Sequence, residues 1–198
     1  MTTDADATET QFLPATPERW SDFETLFGEC GAYEGCWCMW WRTTRREWMR
    51  RRGEGNRQAM KMIIDSGEVP GIIAYVGGEP AGWCSVAPRE AFPSLNRSPT
   101  LRRIDAEPVW SIVCFYVAPA HRGSGLMASL LAAARDYAVS RGARIVEAYP
   151  REPGDLGPPQ AYMGIVPAFE RAGFVEVARR SRRQPIMRWQ SATEHRSS

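Results

Sequence analysis

The chain has 198 residues, of which 43% are hydrophobic and 24% are charged, and its formal net charge is +2. This composition is ordinary for a globular protein of one domain. No apolar run approaches the ~20 residues that cross a bilayer, and the near-neutral charge indicates no nucleic-acid partner. Residues 1–11 are polar and lack the apolar core of a signal peptide, which argues against secretion. The five cysteines are irregularly spaced, so we expect free thiols in a cytoplasmic protein.

Helices are predicted in the first third of the chain. We expect residues 1–11 to form a flexible tail. Pro17 is favourable at a helix start, and apolar residues at helical spacing continue to Phe27. A second short helix is predicted over residues 57–65. Between the two helices, residues 35–52 form a cluster of cysteines and tryptophans followed by a basic stretch.

The middle of the chain is typical of β-structure. Residues 71–76 and 81–86 are apolar runs joined by a Gly-Gly-Glu-Pro turn, which predicts a β-hairpin. Residues 88–107 hold several prolines and charges and are expected to form a long loop. Residues 109–117 are almost continuously apolar and rich in β-branched and aromatic side chains, as in a strand that is covered on both faces.

After Pro119 the period of the apolar residues changes. Leucines and alanines recur at helical spacing from Leu126 onward, which predicts a helix that starts at Ser124 and packs on a sheet. The remaining predicted elements are a strand, a helix and two closing antiparallel strands, over residues 143–149, 160–172, 174–178 and 185–189. The predicted fold class is α/β (α+β): a mixed, mostly antiparallel sheet with a central strand–helix–strand crossover and helices on both faces, within one domain.

The junction between the central strand and its helix has the features of an anion site. It reads His121-Arg122-Gly123-Ser124-Gly125. Glycines let the backbone approach a ligand closely, and the free N–H groups of a helix's first turn point toward it. The helix dipole stabilises a nearby negative group by about 0.3–1 kcal/mol, and Arg122 adds a fixed charge suited to phosphate oxygens. The turn therefore predicts a phosphate-bearing ligand.

The same residues resemble the cofactor signature of the GNAT superfamily of acetyl-CoA-dependent N-acetyltransferases, which is Arg/Gln-x-x-Gly-x-Gly/Ala after a strand. Arg122 and Gly125 match this signature, whereas Met127 stands at its last position and adds bulk near the pyrophosphate. A second landmark of the family, aromatic-x-x-x-Gly-Phe, is matched by residues 169–174. The resemblance extends over residues 17–189.

The resemblance implies an N-acetyltransferase in which a primary amine directly attacks the acetyl group of acetyl-CoA, its co-substrate, without a metal. The backbone of residues 115–117 would pair with the pantetheine as an added strand does. The strands that flank the crossover helix would splay to admit the thioester. The residues implied to hold the cofactor are Phe115, Tyr116, Val117, Arg122, Gly123, Ser124, Gly125, Leu126 and Met127.

The proton chemistry needs groups outside this segment. An amine with a pKa near ~10 must lose a proton before it attacks, and the thiolate must gain one; such steps are worth ~10²–10⁴-fold. Members of the family often place a tyrosine donor at the position of Phe169, which has no hydroxyl. Tyr162, two turns earlier on the same predicted helical face, is the candidate donor, with packing as its alternative. The candidate bases are Glu147, a carboxylate in an apolar strand that needs a partner or a task, Glu107 and, as a weaker candidate, His121.

Tryptophans and arginines between the first two helices have competing interpretations. Trp37 and Trp40 border the acceptor pocket that the resemblance implies, where they could hold a cationic amine by cation–π attraction. Packing of a helix–loop corner is the alternative. The arginines of residues 42–52 permit nucleic-acid contacts, but a solvated helix face or contacts to an acidic acceptor fit a nearly neutral chain better.

The cysteines give no metal signal. Cys30, Cys36 and Cys38 lack the spacing of a paired zinc-binding motif, and only two histidines exist in the chain. Cys114 lies in the central strand, and a catalytic nucleophile is one interpretation of it. No histidine stands at a recognisable partner spacing, so we interpret it as a small buried hydrophobic residue.

Two other functions fit part of the sequence. Gly123 to Ala128 also match Gly-x-Gly-x-x-Gly/Ala, with Glu147 about twenty residues on, as in a dinucleotide-binding oxidoreductase. The four residues between the strand and the first glycine, and the hairpin-like strands downstream, count against that fold. A non-catalytic GNAT-like domain that binds acyl-CoA as a regulator is the other alternative. The acceptor stays open between a small-molecule amine and a peptide, and a homodimer is compatible with the sequence.

Overall fold

The computed structural model describes residues 9–154 and 161–191. In chain order, its strands and helices are β1 (Thr10–Pro14), α1 (Trp20–Phe27), α2 (Arg45–Arg51), α3 (Glu54–Asp65), β2 (Gly71–Val76), β3 (Glu79–Pro88), α4 (Pro93–Arg97), β4 (Trp110–Val117), α5 (Leu126–Ser140), β5 (Ile145–Ala148), α6 (Val166–Arg171), β6 (Val175–Arg179) and β7 (Pro185–Gln190). The strands form one sheet in the order β1-β2-β3-β4-β5-β7-β6. Neighbouring strands are antiparallel except β4 and β5, which are parallel and joined by α5. The predicted fold class is confirmed.

Helix α5 covers one face of the sheet and fixes the position of its own N-terminus. Leu126, Leu130 and Leu131 are buried in a core that also contains residues of β2, β3 and β4. A fully buried leucine stabilises the fold by about 1.5–3 kcal/mol. Gly82 of β3 lets the helix approach closely, because a Cβ there would lie 2.9 Å from Leu130 Cδ1. The turn between β4 and α5 is therefore held between two packed elements.

The opposite face carries an aromatic core. Phe23 and Phe27 of α1 stack with ring centroids 4.0 Å apart, and Trp37 stacks on Phe27 at 5.7 Å. The Trp83 indole of β3 meets the Phe23 ring edge-on at 4.9 Å. Helices thus lie on both faces of the sheet, as predicted. No helix within residues 9–154 and 161–191 is long and apolar enough to cross a bilayer.

The N-terminal boundaries differ from the predictions. Thr10 and Gln11, expected in a flexible tail, belong to β1, which pairs antiparallel with β2; the rest of that tail, residues 1–8, lies outside the described residues. β1 has only five residues and is held by its pairing, so no local pattern indicates it. The basic stretch contains helix α2, whose start is fixed by a capping box between Thr44 and Glu47. Helix α3 begins at Glu54, three residues earlier than predicted.

The C-terminal helix is shorter than predicted. Residue 160 lies outside the described residues, and α6 begins only at Val166. Gly164 has a φ of 79° and Ile165 is extended, so the backbone cannot be helical there. The prediction that Tyr162 and Phe169 share one helical face is therefore wrong. The predicted loop over residues 88–107 also contains the short helix α4, whereas the hairpin β2–β3, the central strand and the closing strands are confirmed.

Candidate active site

Strand β4 leads into a turn that presents backbone amides. Gly123 and Gly125 have φ values of 81° and 86°, which other residues rarely adopt. The hydrogen bonds of α5 begin with the N–H groups of Ala128 and Ser129, which donate to Gly125 O at 2.9 and 3.3 Å. The amides from Gly123 to Met127 precede this ladder, at the positive end of a 15-residue helix. A Cβ added at either glycine would meet no described atom within 4 Å, so the turn is open to a phosphate.

Beyond its first three residues, strand β4 diverges from strand β5. The pairing of the two strands runs from Trp110 to Ile112, whereas β4 continues to Val117. A β-bulge lies at the point of divergence: the register with β3 leaves Val113 without a directly opposed residue. Among the described residues, the edge of β4 beyond Ile112 has no partner in β5, which the expected splay requires. An edge of this kind can receive an extended ligand as an added strand.

One backbone group on this edge of β4 is already hydrogen-bonded within the chain. The Phe115 N–H donates to the Tyr162 carbonyl oxygen at 2.6 Å. The Phe115 ring is buried beneath α5, with its centroid 6.1 Å from that of Phe169, whereas the Tyr116 ring faces α1 on the other side of the sheet, 5.7 Å from Phe27. A pantetheine would therefore pair with the remaining backbone groups of β4 or displace the Tyr162 carbonyl.

The side chains of the glycine turn divide into exposed and buried ones. Arg122 and Ser124 are exposed, and Arg122 is oriented by a 3.1 Å hydrogen bond from Nε to Val117 O. Its Nη atoms extend beyond this anchor. Leu126 is 6% exposed and Met127 is partly buried against the core beneath α5. These two residues offer their amides to a ligand, while Arg122 offers its guanidinium.

Glu147 lies in a buried ion-pair network. It is 1% exposed, and its Oε1 accepts hydrogen bonds from Arg89 Nη1 at 2.7 Å and from the Tyr149 hydroxyl at 2.6 Å. Arg188 Nε donates to Oε2 at 2.8 Å and also pairs with Asp105. Burial raises the pKa of Tyr149 well above its usual value, so this phenol remains a donor. Glu147, for which the sequence indicated no partner, thus has three hydrogen-bond partners.

Glu107 is exposed and lies before the start of β4. It lines a polar cleft of about 490 Å³ with Arg144 and Arg188, among others. Eight residues of extended chain separate it from Phe115, a span of roughly 26 Å at 3.3 Å per residue. Glu107 and the glycine turn are therefore at opposite ends of the central strand. His121 is partly buried in the short turn that follows β4.

Tyr162 lies where β4 and β5 diverge. Its backbone is tied to Phe115, and its side chain is partly buried in a cluster that includes Trp41 and Cys114. Burial, followed by the nearby Cys114, raises the pKa of the Tyr162 phenol above its usual value. The phenol therefore stays protonated at neutral pH, as a proton donor must. Phe169 is fully buried.

Comparison with known families decides the classification. The sequence model described as the acetyltransferase (GNAT) family matches residues 20–156, well over half of the chain. The chain belongs to the GNAT acetyltransferase family. Among curated proteins, no relative matches. Within the described part of this GNAT chain, no three cysteine, histidine or acidic side chains are grouped so that they could hold a metal ion.

Solved GNAT structures share the fold at low sequence identity. A putative GNAT acetyltransferase from Desulfovibrio desulfuricans has a TM-score of 0.54 at 18% identity, over 92% of this chain and 99% of its own. A GNAT acetyltransferase from Listeria monocytogenes has a TM-score of 0.57 at 11% identity, over 96% and 99%. The PaiA N-acetyltransferase from Thermoplasma acidophilum, solved with coenzyme A, has a TM-score of 0.52 at 10% identity, over 92% and 99%.

The two tryptophans assigned to the acceptor pocket differ in burial. Trp37 is 5% exposed and stacks in the aromatic core, with one edge lining a cleft of about 490 Å³. That cleft also contains the carboxylates of Glu24, Glu29 and Glu54. Trp40 is partly buried and meets the Trp48 ring edge-on at 5.1 Å. Trp37 therefore packs in the core, and it also borders a cleft.

Alanine substitutions of Trp37 and Trp40 are expected to separate a role in core packing from a role in binding the acceptor amine. Trp37→Ala should lower the free energy of unfolding by about 3–5 kcal/mol, because it removes the centre of an aromatic stack. Trp40→Ala should cost less and leave a folded protein in which the KM for an amine can be measured. Urea unfolding of both variants checks this order. Equal stabilities would contradict the role of Trp37 in the core.

Proposed function

We propose that this protein is an N-acetyltransferase that moves an acetyl group from acetyl-CoA to a primary amine of a small molecule or peptide by direct attack. The observation that carries the proposal is the continuity of the diverging edge of β4 with the glycine turn of α5. An extended thiol-bearing arm fits the first feature and a pyrophosphate fits the second. Membership of the GNAT family and a related fold solved with coenzyme A support the choice of cofactor.

The proposed acceptor is a cationic amine. The cleft beside Trp37 is lined by three glutamates, of which Glu24 and Glu54 are paired with Arg57. Carboxylates attract ammonium groups, and Trp37 lines the same cleft. The proposal includes a cytoplasmic setting, which is supported by the state of all five cysteines as free thiols.

The proposed proton donor to the departing thiolate is Tyr162. Its protonated phenol lies beside the divergence of β4 and β5, where the thioester would enter. Glu147 and Glu107 are weaker candidates for the base: the first is occupied by two arginines, and the second lies at the far end of β4. A water molecule or the bulk solvent can take the proton from the amine instead.

A second candidate function is a non-catalytic domain that binds acyl-CoA as a regulator. The burial of Phe169, at the position where relatives often carry a tyrosine, favours it. Calorimetric titration with acetyl-CoA tests the binding that both functions share. Thiol release from acetyl-CoA across a panel of amines tests the enzyme alone, and tight binding without release for any amine would support the regulator.

Arg122→Ala is expected to weaken coenzyme A binding. Loss of a charge-assisted hydrogen bond costs about 1.5–3 kcal/mol, which is roughly a 10- to 150-fold rise in Kd. The exposed position of Arg122 predicts an unchanged melting temperature. Arg141→Ala, at the other end of α5, is the matched control and should bind normally. Equal affinities for both variants would contradict the assignment of the glycine turn as the pyrophosphate site.

A further inference from the structure

Cys38 lies in an unusual position on the aromatic face of the sheet. It is 5% exposed, and the Trp83 indole N–H donates to its sulfur at 3.2 Å. Trp37 and Cys38 have φ values of 46° and 58°. The left-handed conformation costs an L-residue about 1–2 kcal/mol, so packing must hold this backbone in place. The strained segment points the Cys38 thiol at the sheet.

A second sulfur meets Cys38 from the central strand. Ser85 of β3 and Cys114 of β4 are paired in register, two residues along β3 from the Trp83 indole that donates to Cys38. The Ser85 hydroxyl itself donates to Pro70 O at 3.3 Å. Cys38 and Cys114 also belong to one hydrophobic cluster. Cys84 packs in the cluster beneath α5, on the opposite face of the sheet, and Cys30 is exposed. Cys114 is thus the partner that the fold presents to Cys38.

The surroundings of Cys38 stabilise a negative sulfur. The positive charge of Arg42 acts on Cys38, and Cys38 and Glu68 in turn act on the pKa of Arg42, which burial lowers. The Arg42 guanidinium donates to Pro70 O at 3.1 Å, while its Nε is enclosed without a hydrogen-bond partner among the described residues. In the described ranges, Arg42 forms no ion pair with a carboxylate. A thiolate at Cys38 supplies the missing counter-charge.

The same contacts determine which of the two thiols ionises. The hydrogen bond from Cys114, followed by those from Trp83 and Ser85 and the charge of Arg42, lowers the pKa of Cys38 to about 7 despite its burial. Donation to Cys38 raises the pKa of Cys114. The pair therefore loses its first proton from Cys38, while Cys114 keeps its proton. A thiolate beside a thiol is the arrangement that forms a disulfide on oxidation.

We propose that Cys38 and Cys114 are a site of reversible oxidation, at which a hydroperoxide or a low-molecular-weight disulfide converts the pair into an intramolecular disulfide. With hydrogen peroxide, the Cys38 thiolate attacks an oxygen atom and becomes a sulfenic acid, and the hydroxide that leaves takes up a proton to form water. The Cys114 sulfur then attacks the sulfenic sulfur, and a second water leaves. Two thiols are oxidised by two electrons, and one hydrogen peroxide is reduced to two waters. With a small disulfide, the Cys38 thiolate displaces one thiol to form a mixed disulfide, and Cys114 then displaces the second thiol.

The disulfide would tie the segment between α1 and α2 to the central strand. Cys114 immediately precedes Phe115, on the edge where β4 diverges from β5. Oxidation would also remove the negative charge beside Arg42. We expect slower acetyl transfer by the oxidised protein, and this consequence rests on the proposed function. Formation of the disulfide does not rest on it, so the two are measured separately.

Disulfide mapping of the oxidised full-length protein tests the proposal. The folded chain is treated with an equimolar amount of hydrogen peroxide or diamide, free thiols are blocked, and non-reduced tryptic peptides are analysed by mass spectrometry. Residues 20–42 form one tryptic peptide with three cysteines, so fragmentation must assign the bond. We expect Cys38 linked to Cys114 in most molecules, with the link lost on reduction. A bond from Cys38 to Cys36, or Cys38 sulfinic acid beside a free Cys114, would overturn the proposal.

Serine variants give the matched controls. Cys38→Ser and Cys114→Ser should each abolish the intramolecular link, and Cys30→Ser should leave it intact. If Cys38→Ser unfolds, the mapped bond in the wild-type chain and its loss in Cys114→Ser still decide the question. A link that persists in Cys114→Ser rules the pair out.

The pH dependence of oxidation is a second, independent readout. The groups that face Cys38 are Arg42 and Cys36 from its own segment, Trp83 and Ser85 from β3, and Cys114 from β4. The rate of disulfide formation should rise with pH and reach half its maximum near pH 7. Trp83→Phe removes the indole donor to the Cys38 sulfur and should shift this midpoint to higher pH. A midpoint near the pKa of an ordinary thiol in both proteins would show that Cys38 is not activated.

Discussion

Glu147→Gln is expected to lower the free energy of unfolding by about 3–5 kcal/mol, because it removes one partner of a buried ion pair. For a chain of this length the melting temperature should fall by roughly 6–20 °C. Glu107→Gln, at an exposed carboxylate, should change the stability by less than about 0.5 kcal/mol. Chemical and thermal unfolding of the two variants, measured side by side, check this contrast.

The expected difference follows from what each carboxylate touches. Arg89 is 1% exposed, and Glu147 is the carboxylate that faces it, supported by the Asn96 side chain and the Leu101 carbonyl. A glutamine leaves that guanidinium with a neutral partner in a low-dielectric site. Arg188 retains Asp105, so the main penalty is the desolvated charge of Arg89.

The same pair of variants separates stability from catalysis. If Glu147→Gln unfolds at the wild-type denaturant concentration but loses acetyl transfer, Glu147 is a catalytic base and the network is a secondary feature. If it is destabilised but retains the wild-type kcat under conditions where it is folded, its role is structural. The second outcome is the one that the geometry favours.

The parts of the fold that the sequence predicts well are the ones with a strong local period. The continuous apolar run of β4 and the helical spacing that starts at Leu126 are both long local signals. β1 lacks such a signal, because it has five residues and depends on β2 for its pairing. The predicted start of α6 is also wrong. The apolar spacing alone allows a helix there, but Gly164 and the extended Ile165 exclude it.

The chemistry of single side chains depends on residues that are distant in sequence. The two arginine partners of Glu147 are 58 and 41 positions away, and Arg89 lies in a segment predicted to be a loop. Cys38 is activated by an indole 45 positions away and by a backbone conformation that non-glycine residues rarely adopt. No sequence motif with a fixed spacing identifies such pairs. The glycine turn was predictable, in contrast, because its strand, glycines and helix are consecutive.

Tyr162→Phe is expected to lower kcat for acetyl transfer by about 10²–10⁴-fold, the usual contribution of a general acid, while the Kd for acetyl-CoA stays unchanged. The substitution keeps the ring and the hydrogen bond from the Phe115 amide to the backbone carbonyl at position 162. The phenolic hydroxyl is lost, and with it the proton that it would donate. Tyr137→Phe is the matched control, because it removes another half-buried phenol on α5, on the other face of the sheet.

The raised pKa of Tyr162 determines how the kcat of the wild-type enzyme should depend on pH. A raised pKa keeps the phenol protonated below and through the range in which an ordinary tyrosine ionises, near pH ~10. The kcat should therefore rise with pH as the acceptor amine loses its proton, without a fall on the alkaline side due to Tyr162. Retention of the wild-type kcat in Tyr162→Phe would mean that the Tyr162 side chain only packs against its neighbours and donates no proton to the thiolate. The thiolate of coenzyme A, a good leaving group at neutral pH, would then depart without a protein donor.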